Sequence, residues 1–435
     1  MDKQLILEIL QDWNFWEKPL ESGKPRQGYT KKFMGLLKTN VTIAIIGIRR
    51  SGKSYIMRQI IEKLLENKID NKNILMVNFE DKRFVEFYSG LLDEIYEVYL
   101  EILRPDKKPF ILLDEVHTVP NWERWVRTMH ELGKAKIVVS GSSSKLLAGE
   151  LATVLTGRHL DVFVFPLSFK EFLYFKGLEI KNELSLVSKK IEIRRYLNEY
   201  FEFGGFPEVS LSNEKKQLLL TYFDDILTKD IEKRYDIKEK EKLRGLARFY
   251  VTNISASITF NSLKRFLNTT TNTIEKFSSY LEETNIIFFI KRFSFKIKEQ
   301  EKSPRKVYAT DIGLANAVGF RFSSDIGRVA ENIVAVELQR KKRSDLDLAV
   351  YYWKNLKHEE VDFVVKEGLK IKQLIQVCWD INKYKTKERE IRALIKASKE
   401  LKCNNLLLIT ENYDKEESVN GRIIKFMPLW KWLLA

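Results

Sequence analysis

At 435 residues, with 44% hydrophobic and 31% charged content, the chain is too long for one ordinary core and too apolar for a disordered one. No apolar run reaches the length of a membrane span, Met1-Asp2-Lys3-Gln4 lacks the layout of a secretion signal, and Cys378 and Cys403 give neither a disulfide framework nor a metal-ligand spacing. A cytoplasmic protein without membrane contact is expected, and the net charge of +15 favours a polyanion such as nucleic acid as partner, although a lysine-rich proteome gives the same excess.

Residues 1–40 read as a helical segment. An amphipathic helix, Gln4 to Trp13, is followed by a Pro/Gly-bearing connector, Lys18 to Gly28, and a short helix near Thr30 to Leu37. Trp13, Phe15 and Trp16 are expected to pack on the core that follows, with base stacking as the alternative.

The β-branched run Val41 to Ile46 predicts a buried strand, and Tyr55 to Leu65 a helix. Between them stands Gly47-Ile48-Arg49-Arg50-Ser51-Gly52-Lys53-Ser54. Strand, glycine loop and helix are the context that makes this pattern a phosphate-binding loop. Gly47 and Gly52 permit backbone angles that a Cβ would forbid. The loop amides and the helix N-terminus then face a polyanion. Lys53 would reach the β- and γ-phosphates, and the Ser54 hydroxyl would hold Mg²⁺. Gly47 through Ser54, with Tyr55 in the first helical turn, are the nucleotide-binding candidates. An ordinary tight turn would leave the lysine unexplained.

Asn73 to Phe79 is the next strand, ending in the polar cluster Glu80-Asp81-Lys82-Arg83. A helix, Leu91 to Leu103, leads to Phe110-Ile111-Leu112-Leu113-Asp114-Glu115-Val116-His117. A buried strand has no structural use for paired acids at its end, whereas a magnesium nucleotide site does. Asp114 would hold Mg²⁺ and Glu115 would orient or deprotonate the attacking water. His117 reads more as a cap than as a catalytic group. Ala135 to Ser140 is a strand ending in Ser140-Gly141-Ser142-Ser143-Ser144, where Ser142, or else Ser140, would sense the γ-phosphate; a helix-capping turn is the alternative. The run Leu151 to Leu155 precedes Thr156-Gly157-Arg158 and a strand, Leu160 to Phe165. Arg158 is a candidate arginine finger, for its own site or for that of a neighbour in a homo-oligomer, with a surface ion pair as the alternative. Residues 41–167 are thus the core.

Residues 168–240 are helical, broken by Gly204-Gly205-Phe206-Pro207, and read as a lid on the nucleotide. Residues 241–310 follow the order of a winged helix-turn-helix. Helices are expected over Leu243 to Ile254, Phe260 to Leu267 and Thr273 to Glu283, then a strand, Ile286 to Arg292. Thr271, Asn272 and Lys276 on the third helix, with Lys291 and Arg292 at the wing, are the DNA-contact candidates. Docking of a protein is the alternative. Residues 311–435 read as an α/β unit with strands over Leu348 to Trp353, Val361 to Val365, Gln373 to Val377 and Asn405 to Thr410, and a helix, Lys387 to Leu401.

Together these residues resemble the prokaryotic, mainly archaeal, AAA-like P-loop ATPases whose core is followed by a winged helix and a restriction-endonuclease-like domain. The resemblance covers nearly the whole chain. It is carried by Gly47 to Ser54, Leu112 to Glu115 with Trp122, Ser140-Gly141-Ser142, and Gly157-Arg158 before Pro166-Leu167-Ser168. Downstream it is carried by Gly204 to Glu208, Lys229-Asp230-Ile231, Tyr308 to Leu314 and Glu360-Val361-Asp362-Phe363. It implies an α/β fold: a P-loop core with a parallel sheet, a helical lid, a winged helix-turn-helix and a nuclease-like α/β domain. It implies ATP and Mg²⁺ as cofactors, while double-stranded or branched DNA is expected as partner from the basic charge and the winged helix. A nuclease of that fold needs an acid on one strand and Glu-x-Lys on the next, the acids holding Mg²⁺. Glu331 and Asp362 stand in the acidic positions, but the second strand reads Gln376-Val377-Cys378, and Lys370 and Lys372 fall at the wrong strand positions. The block is therefore expected to have lost cleavage. The expected activity is a Mg²⁺-dependent ATPase acting on DNA; the alternative is a nucleotide-gated switch that docks a protein.

Overall fold

The computed structural model describes residues 1–142, 157–319 and 326–435. The run 151–155 and the serines at 143 and 144 lie outside those residues. The chain forms two compact units, Met1–Val164 and Phe165–Ala435.

The first unit is built on a five-stranded parallel sheet: β1 (Thr42–Ile46), β2 (Ile74–Asn78), β3 (Phe110–Asp114), β4 (Lys136–Gly141) and β5 (His159–Phe163), in the order β2-β3-β4-β1-β5. β4 therefore separates the glycine-loop strand β1 from the acidic strand β3. The central strands are buried on both faces, which explains their unbroken apolar runs. Alternate residues serve opposite cores: Ala44, Ile46, Leu113 and Val139 one, Ile43, Ile45, Leu112 and Val138 the other. The helix Lys3–Trp13 covers the first core with Ile6, Ile9 and Leu10. β2 is an edge strand, and the chain after that helix occupies its free polar groups. Asn14 accepts from the Met76 N–H at 2.6 Å and donates to the Met76 carbonyl at 2.8 Å, and the Trp16 indole donates to the Ile74 carbonyl. Trp13, Phe15 and Trp16 thus pack on the core as the sequence implied.

The second unit begins at Phe165, and Pro166 and Leu167 are tied into it. The Leu167 N–H donates to the Gly205 carbonyl at 2.6 Å, and the Pro166 carbonyl accepts from Arg340. The helices Phe169–Phe175, Lys190–Phe203 and Lys215–Asp225 continue into a π-helical turn, Ile226–Glu232, that holds the Lys229-Asp230-Ile231 motif. Of these, Lys190–Phe203 and Lys215–Asp225 pack on a helix, Ile312–Val318. Asp311 caps that helix through the Leu314 N–H and accepts from the Gly205 N–H at 2.7 Å. A Cβ on Gly204 would lie 2.1 Å from the Asp311 carboxylate, and one on Gly313 2.0 Å from the Phe203 carbonyl oxygen, so both positions require glycine. The Gly-Gly-Phe-Pro and Tyr308 to Leu314 motifs are thus the two halves of one joint.

The winged arrangement consists of helix Lys240–Thr252, β6 (Ser257–Ile258), short helical turns over 260–267, helix Thr271–Glu283, β7 (Ile287–Lys291) and β8 (Arg305–Ala309), with sheet order β6-β8-β7. Thr270 caps the third helix by accepting from the Thr273 N–H at 3.2 Å. Between β7 and β8 the wing is a short helix, Ile297–Lys302, rather than a plain hairpin.

The C-terminal sheet comprises β9 (Leu348–Lys354), β10 (Glu360–Glu367), β11 (Lys370–Val377), β12 (Leu406–Thr410), β13 (Lys415–Val419) and β14 (Arg422–Pro428), in the order β13-β14-β12-β11-β10-β9. Its middle pairs, β11–β12 and β12–β14, are parallel, and the rest are antiparallel. The β13–β14 hairpin and the final helix, Leu429–Leu434, extend beyond the expected elements. The hairpin turns at Asn420-Gly421, both at positive φ.

Candidate functional site

The glycine loop leaves β1 at its carboxyl end and enters the helix Lys53–Glu66 through Gly52. Its two glycines answer to different constraints. Gly52 lies at φ +95°, where a side chain would be strained. Gly47 is not in that region; a Cβ there would sit 2.2 Å from the Val164 carbonyl oxygen. The Ile48 carbonyl accepts from the Ser51 N–H, and buried Arg26 donates to the Ser51 carbonyl at 3.0 Å. Arg26 belongs to the Pro/Gly connector, and no motif marks it. The Tyr55 ring, 44% exposed, lies against Gly23 and beneath the Arg58 guanidinium.

Lys53 and the two acids converge at the ends of β1 and β3. The Lys53 Nζ is buried, donates to the Gly47 carbonyl at 3.2 Å and stands 3.3 Å from Glu115 Oε1. Glu115 follows β3 in the left-handed region at φ +53°, which turns its carboxylate out of the strand line. Its Oε2 accepts from the Ser142 N–H at 3.2 Å and lies 3.3 Å from His117 Nδ1. Ser140, on β4, ties the two acids together: its Oγ donates to Asp114 and accepts from the Glu115 N–H at 3.0 Å. Ser54 also hydrogen-bonds Asp114. The buried Ser142 Oγ has no hydrogen-bond partner among the described residues, as suits a group that waits for a ligand. His117, which the sequence left as a cap, is therefore a neighbour of the base, and Ser140 is an orienting group.

The electrostatics separate the two carboxyls. Burial pushes the Glu115 carboxyl up, but Lys53, His117 and Arg49 outweigh it and hold it at about 2. Burial and the adjacent Glu115 charge push Asp114 up to about 6. Glu115 is thus ionised at neutral pH, and Asp114 is the acid that a nearby divalent cation would relieve. With the Ser54 hydroxyl beside it, this oxygen donor set fits Mg²⁺. Arg49 also reaches Glu80 at 2.5 Å, in the polar cluster after β2.

A family described as an AAA domain matches residues 39–173, and two domains of unknown function match 194–325 and 326–432. An uncharacterised protein of Methanocaldococcus jannaschii is 37% identical over the whole of this chain and 96% of its own length. The chain belongs to the AAA-domain P-loop ATPases. One of Haemophilus influenzae, also uncharacterised, is 28% identical over 94% of this chain and 98% of its own. Among solved structures, a Walker-type ATPase of Pyrococcus abyssi is similar over 70% of this chain and 99% of its own, at 14% identity and a TM-score of 0.42.

In this AAA-domain ATPase, Arg158 does not join the site of its own chain. It immediately precedes β5, which runs parallel to β1 with Thr42 opposite His159. The glycine loop leaves the other end of β1. A strand of this length places Arg158 roughly 16 Å from its own loop. There it is exposed, with Glu131 at 3.4 Å. A finger role within one chain is thereby removed; a role toward a neighbour is left open.

The expected DNA contacts divide. Asn272 and Lys276 are exposed and Thr271 is half-buried on the third helix. Lys291 pairs with Glu301 at 2.5 Å. Arg292 is turned inward: it donates to the Lys354 carbonyl at 2.5 Å, and its backbone bridges to Tyr352. It fixes the wing to β9 and is not a surface contact.

In the C-terminal domain, Glu331 and Asp362 do come together, with a lysine the sequence did not offer. Lys306, on β8, is buried with its Nζ 2.9 Å from Glu331, 2.9 Å from Asp362 and 2.6 Å from Glu360. Gln376 accepts from the Asp362 N–H and donates to Glu390 at 2.7 Å. Lys306 sits on a strand of the winged region, and nothing local in its sequence marks it. Among the described residues, no helix is long and apolar enough to cross a membrane.

Proposed function

We propose that this protein is a Mg²⁺-dependent ATPase that binds DNA and couples ATP binding and hydrolysis to movement of its winged-helix and nuclease-like parts. The observation that carries the hydrolytic half is the buried Lys53–Glu115 pair at 3.3 Å, beside Asp114 and Ser54. Bound Mg·ATP supplies the scissile anhydride and the divalent charge. Lys53 would hold phosphate oxygens, Ser54 and Asp114 would hold the ion, and Ser142 would offer the hydroxyl that has no partner among the described residues. Glu115, released from Lys53 when phosphate claims the ammonium, orients a water and takes its proton. His117 and the Ser142 amide keep the Glu115 carboxylate aimed.

The basic surface supports the DNA half, with the wing lysines as phosphate contacts. In the nuclease-like part, Lys306 neutralises the acids that a catalytic metal would need, which favours a binding role over cleavage. One observation favours the second reading, a nucleotide-gated switch that docks a protein: the third helix carries one cation, Lys276, against Glu275, Glu282 and Glu283. The test is the ATPase rate with and without duplex and branched DNA at low and high salt. Salt-sensitive stimulation supports DNA as partner, because binding through several phosphates weakens steeply as salt rises. No stimulation and no mobility shift would transfer the role to a protein partner.

A further inference from the structure

From the wing we infer a mode of DNA binding, resting on the reading of DNA as partner: Phe295 and Ile297 form an apolar wedge that enters the minor groove and kinks the duplex, while Lys296 and Lys298 hold the flanking phosphates. The wing tip reads Ser294-Phe295-Lys296-Ile297-Lys298. Phe295 is 79% exposed and Ile297 77%. Single exposed hydrophobes are common on protein surfaces. Two on one tip, each followed by a lysine, on an element fixed at its root, are a more specific arrangement.

The root is fixed by three contacts with β9. Arg292 donates to the Lys354 carbonyl, the Phe293 N–H donates to the Tyr352 carbonyl at 2.6 Å, and the Phe293 ring packs on Tyr351. The Phe293 ring then meets Phe295 edge to face at 5.1 Å. Ser294 closes the tip, accepting from the Lys296 N–H at 3.1 Å and donating to Glu299 at 3.0 Å. A wedge mounted in this way keeps its orientation when base steps resist it, as a floppy loop would not.

Charge complementarity selects the occupant. Residues 291–306 carry seven cations against two acids, Glu299 and Glu301. Two of the seven, Arg292 and Lys306, are used inside the fold, which leaves Lys291, Lys296, Lys298, Lys302 and Arg305 on or near the surface. The third helix, with three acids, is the poorer phosphate surface. Apolar side chains collared by lysines are the equipment of proteins that unstack a base step and bend DNA.

The experiment uses the full chain and a short mixed-sequence duplex with a donor and an acceptor dye at its ends. Binding by the unaltered protein should raise energy transfer, reporting a bend on the order of 20–90°. Phe295→Ala/Ile297→Ala should still bind, with an unchanged salt slope but without the rise in transfer. Lys296→Gln/Lys298→Gln should reduce the salt slope by about two. All four substituted side chains are exposed, and basal ATPase serves as the folding control. Binding without a bend, or a bend that survives the loss of both apolar side chains, overturns the wedge while leaving DNA as partner. No duplex binding at all overturns the DNA reading and the wedge with it. Capture of anionic vesicles through Phe295 in that case would reassign the tip to a lipid surface.

Discussion

The Lys53 ammonium stands 3.3 Å from the Glu115 carboxylate, both buried, so the cation meant for phosphate and the base meant for water neutralise each other. Nucleotide must separate them. Lys53→Ala should therefore remove the main phosphate contact and leave Glu115 less well compensated. We expect ATP affinity to fall by more than about tenfold, since a charge-assisted contact of this kind contributes about 1.5–3 kcal/mol. Titration with a fluorescent ATP analogue checks it, and unchanged affinity would remove the site assignment.

Glu115→Gln keeps the shape and the acceptor for the Ser142 N–H but cannot take a proton. ATP affinity should stay within a few-fold while turnover falls about 10²–10⁴-fold, the usual contribution of a general base. Because Lys53, His117 and Arg49 hold Glu115 at about 2 in the nucleotide-free site, its protonation gives kcat/KM no acid limb between pH 5 and 8. Steady-state rates across that range, with wild-type turnover in the variant as the contrary result, decide the role.

The nucleotide site was legible because each motif sits where a fully buried strand ends, and buried strands are unbroken apolar runs. The joint between Gly205 and Asp311 was visible as two motifs but not as one contact, since 106 residues separate the partners. Lys306 was not legible. In Arg305-Lys306-Val307-Tyr308-Ala309 it reads as a solvated face, and its partners Glu331 and Asp362 are 25 and 56 residues away. The Asn420-Gly421 turn carries a clear hairpin signal, though the expected strands end at Thr410. Arg158 illustrates a topological limit: a residue just before a strand parallel to β1 lies at the end away from the loop, however well its local motif fits.

That placement makes a sharp prediction for Arg158. In dilute protein, where single chains turn over ATP, Arg158→Ala should match the wild-type rate within about twofold, as surface ion pairs contribute little. If neighbours supply the finger, the deficit should appear as protein concentration rises. A rate loss of tenfold or more in demonstrably monomeric protein would place Arg158 at its own site and contradict the strand geometry.

Asp311 gives the joint a pH dependence. Burial pushes its carboxyl up to about 6 from the ordinary 3.8, against the Gly205, Leu314 and Gly313 N–H groups. Below about 4 both folded and unfolded forms are protonated, and there is no effect. Between about 4 and 6 the folded form holds the proton while the unfolded form releases it, so stability falls as pH rises. Above 6 the penalty is constant, at about 3 kcal/mol. Asp311→Asn removes this titration. The wild-type stability minus that of the variant should therefore decrease between pH 4 and 6, as measured by denaturant unfolding of the full chain. Parallel curves across that interval would show that Asp311 ionises in the fold as it does in water.

Lys306 is the point at which the winged region and the C-terminal sheet depend on each other. Its ammonium stays charged although burial opposes it, because Asp362, Glu331 and Glu360 surround it. Lys306→Met keeps an unbranched side chain, one atom shorter, but takes the counter-ion from buried Glu331 and Asp362, while Glu360 keeps Lys354; such a change typically destabilises by about 3–5 kcal/mol. The deficit should shrink as pH is lowered and Glu331, which burial and the Asp362 charge push up to about 8, protonates, and Lys306→Met/Asp362→Asn should recover part of it. Urea unfolding at pH 5 and pH 8, with proteolysis of the 292–306 segment as a local readout, measures both effects. A variant as stable as wild type at pH 8 would mean that solvent, not Lys306, balances the three acids.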